Sequence, residues 1–591
     1  MKALRTLRPL LLAYRWHFGI GILLVFAANY FAVEVPVQVG RAVDVVEGGR
    51  YTREALAWLT VNILTLAGLG ACFRFLMRRV IIDASRELEF DMRNLYFARL
   101  QALDPAFYDA RNTGDLMSRG TNDMDAVRMF LGPSLMYMAN TLLAVPLILA
   151  QMTRQDWRLA LLSLLPVALL PPLVRRLGNE THRRSREQQD EFGALTTFAQ
   201  ENLAGIQVVK AYGQERAQSA GFLARNEAYR DKSLRLALVQ AFFFTSIRFI
   251  AGLGLLVILV VGGRSVMAGT LPVGTLVSFI LLFGMIIWPL IALGWVVNLA
   301  QRGLASLERI NEVLEAVPAV AVPAAPVAPP ERPGISIRGL TFRYEGTSEP
   351  QLRDIELEVP FGTTVGIIGP VGSGKSTLVN LLARLYPVER GKVLLGGVDI
   401  NDIDPEQLRR HLSFVFQESF LFSDTIEWNI RFGGEDGLGP GPVRESARRA
   451  QLAAEVDGFP AGYDTELGER GINLSGGQRQ RLSIARALAR DAKILVLDDA
   501  LSAVDTHTEE RILEGLREVM DGRTVFLISH RVSTVAMADL VLVVEDGRIT
   551  QRGTHAELAS APGLYARLCE RQRLERDVES FDELAGQGAP A

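Results

Sequence analysis

The sequence predicts an α-helical membrane domain of six transmembrane helices, fused to an α/β P-loop nucleotide-binding domain. Three observations carry this expectation. Long apolar runs fill residues 1–300. A Gly-rich string, GPVGSGKS (369–376), follows an apolar strand pattern and opens a helix pattern. Further on, ILVLDD (494–499) ends a buried-type strand on two acids.

The 591 residues suffice for two or more domains. Apolar residues make up 49% of the chain, and the net charge of −3 is too small to point to nucleic acid. The two cysteines, Cys72 and Cys569, do not suggest a disulfide framework. The first apolar run is long and lacks a small-residue cleavage site, so no cleavable signal peptide is expected. Composition divides the chain into a membrane domain (1–315), a linker (316–334), an ATPase domain (335–570) and a polar tail (571–591). The linker, AVPAVAVPAAPVAPPERPG, is rich in Ala and Pro and reads as extended. The tail reads equally as a short helix or as disordered.

A helix needs about 20 apolar residues to cross the hydrocarbon core. Six stretches qualify: 15–36, 55–77, 131–152, 157–178, 236–262 and 272–298. The segments between spans two and three and between spans four and five are rich in arginine, including Arg78, Arg79, Arg86, Arg93, Arg175, Arg176, Arg183 and Arg184. The opposite loops are short. The positive-inside rule then puts both termini and the ATPase domain in the cytoplasm, with the spans in a bacterial-type inner (plasma) membrane.

Both basic segments are too long for structureless loops, so the membrane helices are expected to continue into the cytoplasm. Residues 107–127 and 201–215 break the helical pattern with Asn, Gly and Asp. Each is either a short helix at a tip that touches the ATPase domain or an ordinary solvated turn. Asn29, Glu34, Arg74, Asn140, Gln240, Arg248 and Asn298 fall inside the apparent spans. Such groups face a cavity or a partner, or else make interhelical hydrogen bonds or snorkel to the interface.

In the second half, Gly369, Gly372 and Gly374 belong to a loop whose backbone N–H groups approach phosphates, with Ser373 between the last two. Lys375 is expected to reach the β- and γ-phosphates, Ser376 to bind Mg²⁺, and Thr377 to begin the following helix. Asp498 is expected to hold Mg²⁺. Asp499 is expected to point at the attacking water, one methylene short of the glutamate usual in engines of this kind. Since positioning dominates phosphoryl transfer, this predicts impaired hydrolysis. LSGGQ (474–478), with Ser475, Gly476, Gly477 and Gln478 at a helix start, reads as a second anion site. It lies too near the Walker B acids in sequence to serve the same nucleotide easily, so the ATP of a second chain is its natural target.

With GPVGSGKS, LSGGQ, LVLDD and LISH (527–530), the chain resembles a half-transporter of the ABC (ATP-binding cassette) superfamily, of the exporter type with long intracellular loops. The resemblance covers nearly all of residues 1–570. It implies ATP and Mg²⁺ as ligands. It further implies that Tyr344 stacks on adenine and that Gln417 senses Mg²⁺ as the Q-loop glutamine. Glu469 would lie in the X-loop, Asp505 in the D-loop, and His530 would be the switch histidine at the γ-phosphate. Asp499 departs from the family pattern and resembles the degenerate chain of heterodimeric exporters. The implied partner is a different half-transporter with a catalytic Glu, and the implied cargo is hydrophobic or peptidic: drugs, lipids or peptides. A homodimeric exporter, an ATP-gated channel and an importer subunit are the alternatives, the last disfavoured by the fusion of spans and cassette in one chain.

Overall fold

The computed structural model describes residues 5–49, 52–434, 438–468, 471–503 and 506–574. The chain forms two compact units. One holds the chain up to Gln101 together with Gly114–Glu315; the other holds Ala102–Thr113 and the chain from Ala316 on.

The first unit is helical. Its principal helices are Arg15–Glu47, Arg53–Ala102, Leu135–Leu164, Leu170–Ala204, Glu215–Val257 and Val273–Leu314. Among the described residues, five helical stretches are long and apolar enough to cross a membrane. The expected fourth span, 157–178, differs from the other five because two interruptions divide it from its surroundings. Asp156 leaves the helical conformation (φ −156°, ψ 106°). Its carboxylate accepts the N–H groups of Arg158 (2.8 Å) and Leu159 (3.0 Å), capping a new helix. That helix breaks after Leu164, around Pro166, and resumes at Leu170. The apolar content is thus shared between two helices.

The helices continue far past bilayer thickness. Arg53–Ala102 has 50 residues and is about 75 Å long, against a hydrocarbon core of about 30 Å. Charge is buried on its distal half. Glu89, 6% exposed, accepts from Arg86 (3.0 Å) and Arg93 (2.7 Å), and Arg128 lies 3.3 Å away. A short helix at Pro105–Asp109 overlaps the start of the first pattern-breaking segment, another at Thr113–Ser118 lies inside it, and one at Ile206–Ala211 lies inside the second.

Four polar residues within the spans make interhelical hydrogen bonds. Asn29 donates to Asn140 at 3.1 Å, and Gln151 donates to Glu34 at 2.5 Å. The apolar core around them includes Ile148, Met152, Leu159, Ile258, Phe279 and Leu282. Small residues permit close helix crossings. A Cβ on Gly274 would lie 1.8 Å from the Gly40 carbonyl oxygen, and the Gly274 N–H donates to the Asp44 carboxylate at 2.5 Å.

The second unit holds two sheets. A six-stranded sheet runs β10-β9-β3-β8-β7-β6, built from β3 (Thr364–Ile368), β6 (Leu412–Val415), β7 (Ile494–Asp498), β8 (Thr524–Ile528), β9 (Leu540–Glu545) and β10 (Arg548–Gly553). All neighbours are parallel except the β9–β10 edge pair. The strands β3, β7 and β8 are buried along their whole length, as their unbroken Val, Ile and Leu runs require. An antiparallel sheet runs β2-β1-β4-β5, from β1 (Ile335–Phe342), β2 (Leu352–Val359), β4 (Val393–Leu395) and β5 (Val398–Asp399).

Residues 316–334 form neither helix nor strand, bend at 319–320, 324–325 and 331–332, and are strapped to this unit. The Ala319 and Val320 N–H groups donate to Asp104 at 2.5 and 3.2 Å. Val327 N–H donates to the Asp402 carbonyl at 2.8 Å, and Arg384 donates to the Ala321 carbonyl at 3.0 Å. At the far end a helix covers 564–574, so the first residues of the polar tail are helical. Residues 575–591 lie outside the described region.

Gly274→Val should disrupt the crossing with Gly40. Overpacking of this kind costs about 2 kcal/mol. The thermal transition of the membrane unit is expected to fall, while Ala in place of the nearby Gly284, whose Cβ would meet nothing within 4 Å, leaves it unchanged.

Candidate functional site

The loop from Gly369 to Gly374 leaves β3 and turns into the helix Lys375–Leu382. The turn requires a left-handed backbone at Gly372 (φ +81°) and Gly374 (φ +101°), which glycine adopts without a Cβ clash. A Cβ on Gly374 would also lie 2.7 Å from the Leu352 side chain. Ser373 is buried, and its hydroxyl oxygen has no hydrogen-bond partner among the described residues.

A cavity of about 230 Å³ opens beside this loop. Gly372, Gly374, Lys375, Ser376, Thr377, Gln417, Asp498, Asp499 and His530 line it, together with Gln351. Residues from four separate strand ends therefore meet at one place. Gln417 comes from beyond β6, the two acids from the end of β7, and His530 from beyond β8.

The Lys375 ammonium donates to the carbonyls of Gly369 (2.9 Å) and Pro370 (2.7 Å). Burial pushes its pKa down, with Asp498 and Asp499 opposing the shift. Burial pushes the Asp498 carboxyl up. The Ser376 hydroxyl donates to it and works the other way, as does the Lys375 charge. Ser376, Asp498 and Gln417 bring hydroxyl, carboxylate and amide groups to this cavity. That is an all-oxygen set suited to a hard divalent cation that keeps most of its coordination for water and phosphate.

Asp499 is half-buried, and its backbone takes the left-handed conformation (φ 48°). Its N–H donates to the Ile528 carbonyl at 2.9 Å, and its carbonyl accepts from the Ser502 hydroxyl at 3.0 Å. Motif reading missed the residue that steadies this turn. The buried Gln480 side chain donates to the Ser502 hydroxyl at 2.9 Å and accepts the Ala503 N–H at 2.8 Å. Nothing in its own sequence setting marks it, because its partners lie across the fold.

Tyr344 stands beside the loop helix and outside the cavity lining. Its hydroxyl lies 3.0 Å from the Thr377 hydroxyl. Its ring meets Phe342 and Tyr386 edge-on, with centroids 5.0 and 5.1 Å away. Tyr386 in turn donates to Asp109 at 2.8 Å.

Ser475 caps the helix Gly476–Leu488. Its hydroxyl accepts the Gln478 N–H (3.2 Å), and the Gln478 amide oxygen accepts the Ser475 N–H (2.8 Å), a reciprocal capping box. A Cβ on Gly477 would lie 3.1 Å from the Ala503 carbonyl oxygen. None of these four signature residues lines the cavity that holds Lys375. The expected X-loop Glu469 and D-loop Asp505 lie outside the described residues.

Comparison with known proteins agrees with this architecture. Residues 18–290 match the family described as ABC transporter transmembrane region, and residues 352–502 match ABC transporter. The chain is 37% identical over 575 residues to the multidrug resistance-like ATP-binding protein MdlA of Escherichia coli, covering 96% of each. It is 34% identical to the probable multidrug resistance ABC transporter ATP-binding/permease protein YheI of Bacillus subtilis, over 95% of this chain and 96% of the relative. It is 36% identical to the ATP-dependent lipid A-core flippase of Aromatoleum aromaticum, over 86% and 84%. Among solved structures, a bacterial Atm1-family ABC exporter with ATP bound superposes with a TM-score of 0.79 at 30% identity, over 95% of this chain and 99% of that one.

Asp498 carries a raised pKa, so its ionised form is disfavoured in the folded state. It therefore opposes folding at neutral pH, and the penalty vanishes as pH falls below the usual aspartate range. Asp498→Asn should raise the cassette's thermal midpoint by a few degrees, on the order of 1 kcal/mol, at pH 7. The gain should shrink on acidification. An unchanged or lower midpoint at pH 7 would contradict the burial argument.

Proposed function

This chain belongs to the ABC transporter family, as an exporter half-transporter whose ATPase drives transport, and from that premise we propose that it is the low-turnover half of a heterodimeric exporter. It would move hydrophobic or amphipathic drugs, lipids or peptides out of the cytoplasm. Both termini and the ATPase unit would face the cytoplasm, which the arginine-rich segments support. The observation that carries the reading is Asp499: Lys375, Ser376, Gln417, Asp498 and His530 line one cavity with it, and the acid expected nearest the attacking water is short.

In the proposed cycle the P-loop amides and Lys375 bind the phosphates, and the buried Ser373 hydroxyl supplies one more donor. Tyr344 would offer a face to adenine. Ser376, Asp498 and Gln417 would hold Mg²⁺, which when bound offsets the negative charge of the phosphates. His530 would donate to the γ-phosphate. Asp499 would orient water from a carboxylate set back by one methylene, and a misplacement of about 1 Å costs on the order of 100-fold in rate. Ser475 and Gly477, presented away from this cavity, would complete the ATP site of the partner. Two closed sandwiches would then draw the cassettes together, and the spans would alternate between inward and outward openings.

A homodimer is the second reading. It is favoured by the retention of His530, Gln417 and Lys375 in one cavity. The mass of the native complex separates the two readings. For the heterodimer, the chain purified alone should hydrolyse ATP slowly, and Asp499→Glu should speed its own site about 10- to 100-fold. Fast hydrolysis by the unmodified chain, or no gain from the substitution, would remove the case for a degenerate site.

A further inference from the structure

The last described helix, 564–574, lays a stripe against the body of the ATPase unit. Tyr565 is fully buried, and Leu568 and Cys569 pack with it against Ile368, Val532 and Val535. The spacing of 565, 568 and 569 is that of one helix face, and the next position on that face is 572. An apolar residue is expected there. The residue is Gln572.

The Gln572 amide bridges the backbone on both sides of Arg531. Its nitrogen donates to the His530 carbonyl at 2.9 Å, and its oxygen accepts the Val532 N–H at 2.8 Å. One donor and one acceptor on a planar group satisfy both backbone positions, and an amide offers that pair without depending on protonation state. A carboxylate would set a second acceptor against the His530 carbonyl.

The rest of the segment is pinned from other directions. Ser529 N–H donates to the Ile367 carbonyl at 3.2 Å, and the Arg531 N–H donates to the Ser529 hydroxyl at 3.0 Å. The Arg531 guanidinium pairs with the buried Glu509, which also accepts from Thr534 at 2.6 Å. Within the described residues, the direct side-chain hold on the His530 backbone comes from Gln572.

We propose that Gln572 is a positioning residue for His530, so that the C-terminal helix sets the reach of the histidine towards the nucleotide. The same helix touches Ile368, the last residue of β3 before the phosphate loop. It therefore ties the histidine loop to the strand that precedes the phosphate loop, and the backbone from which the imidazole projects is held at its own carbonyl. This inference rests on the reading that His530 acts at the γ-phosphate.

The test is single-turnover hydrolysis of radiolabelled ATP by the purified full-length chain in excess, with ATP affinity measured in parallel. Gln572→Ala is expected to lower the hydrolysis rate constant about tenfold, in line with sub-ångström misplacement of a catalytic group, and to leave ATP affinity within about twofold, since its hydrogen bonds go to the backbone of His530 and Val532. Gln572→Glu, which keeps the acceptor and loses the donor, should be no better than Ala. In a His530→Ala background, Gln572→Ala should have no further effect. Loss of the same factor in both backgrounds would mean a general structural role and would overturn the proposal. So would unchanged hydrolysis in Gln572→Ala when His530→Ala is slow. If His530→Ala itself changes nothing, the reading of His530 fails and the proposal falls with it.

Discussion

Parallel pairing at the centre of the larger sheet is the constraint on which the site depends. Ile367 pairs with Ile528, and Ile528 pairs with Asp498. Leu497 pairs with Val415. Four strands therefore finish at one edge, and their loops leave together. Each strand contributes chemistry only after it ends, where the chain is free to turn: the Gly-rich loop after Ile368, Asp499 after Asp498, His530 after Ile528 and Gln417 after Val415. Ligands gather at such carboxyl ends because the following helix N-termini and loop amides point there. A slip of one residue in any pair would reverse the faces of that strand and withdraw its contribution.

Gathering these groups has an electrostatic cost that the site retains. Lys375 and Asp498 are both buried, and burial pushes each towards its neutral form. Each opposes the shift in the other, and Ser376 assists Asp498 by a hydrogen bond. Asp499 adds a second negative charge beside Asp498 and works against ionisation there. A bound polyphosphate and a divalent cation would add charges of both signs to this pocket. The stability sacrificed by burying the pair is thus the preorganisation that a phosphate site requires.

Motif-bearing loops were legible in the sequence because their chemistry is local. The left-handed turns at Gly372 and Gly374 leave glycine as the favoured residue, and a strand running into two acids is visible without its neighbours. The six apolar stretches were legible for the same reason, although the break around Pro166 divides one of them between two helices. What could not be read were partners distant in sequence. Gln480 beneath Asp499, Gln572 behind His530, and Asp104 beneath the linker are ordinary polar residues until the fold supplies what they bond. The contact of Gly274 with Gly40 is equally silent, since a glycine in an apolar helix reads the same whether or not another backbone crosses it. The bonds from Asn29 to Asn140 and from Gln151 to Glu34 tie neighbouring helices together, while Asn29 and Asn140 also line a cavity with Arg74, so one polar residue can serve both packing and a cavity wall.

Asp499 joins the local and the distant parts of the argument. Its backbone sits at φ 48°, in the left-handed region that aspartate and asparagine enter several-fold more often than most side chains. A β7 strand that must turn at once, with the Asp499 N–H still paired to Ile528 and its carbonyl given to Ser502, is well served by aspartate at that position. The same choice shortens the carboxylate. Turn geometry and catalytic reach therefore depend on one residue, and here the side chain favours the turn. The nucleotide-binding elements around it are otherwise complete, and the signature helix is capped and displayed away from the cavity. On the reading proposed above, an ATPase unit built this way would retain a nucleotide rather than hydrolyse it rapidly, and its signature would serve a second chain. Lys375, Gln417 and His530 are retained together in one cavity, which suits two identical cassettes as well as two unequal ones, so the proposal of unequal roles stands on Asp499 itself.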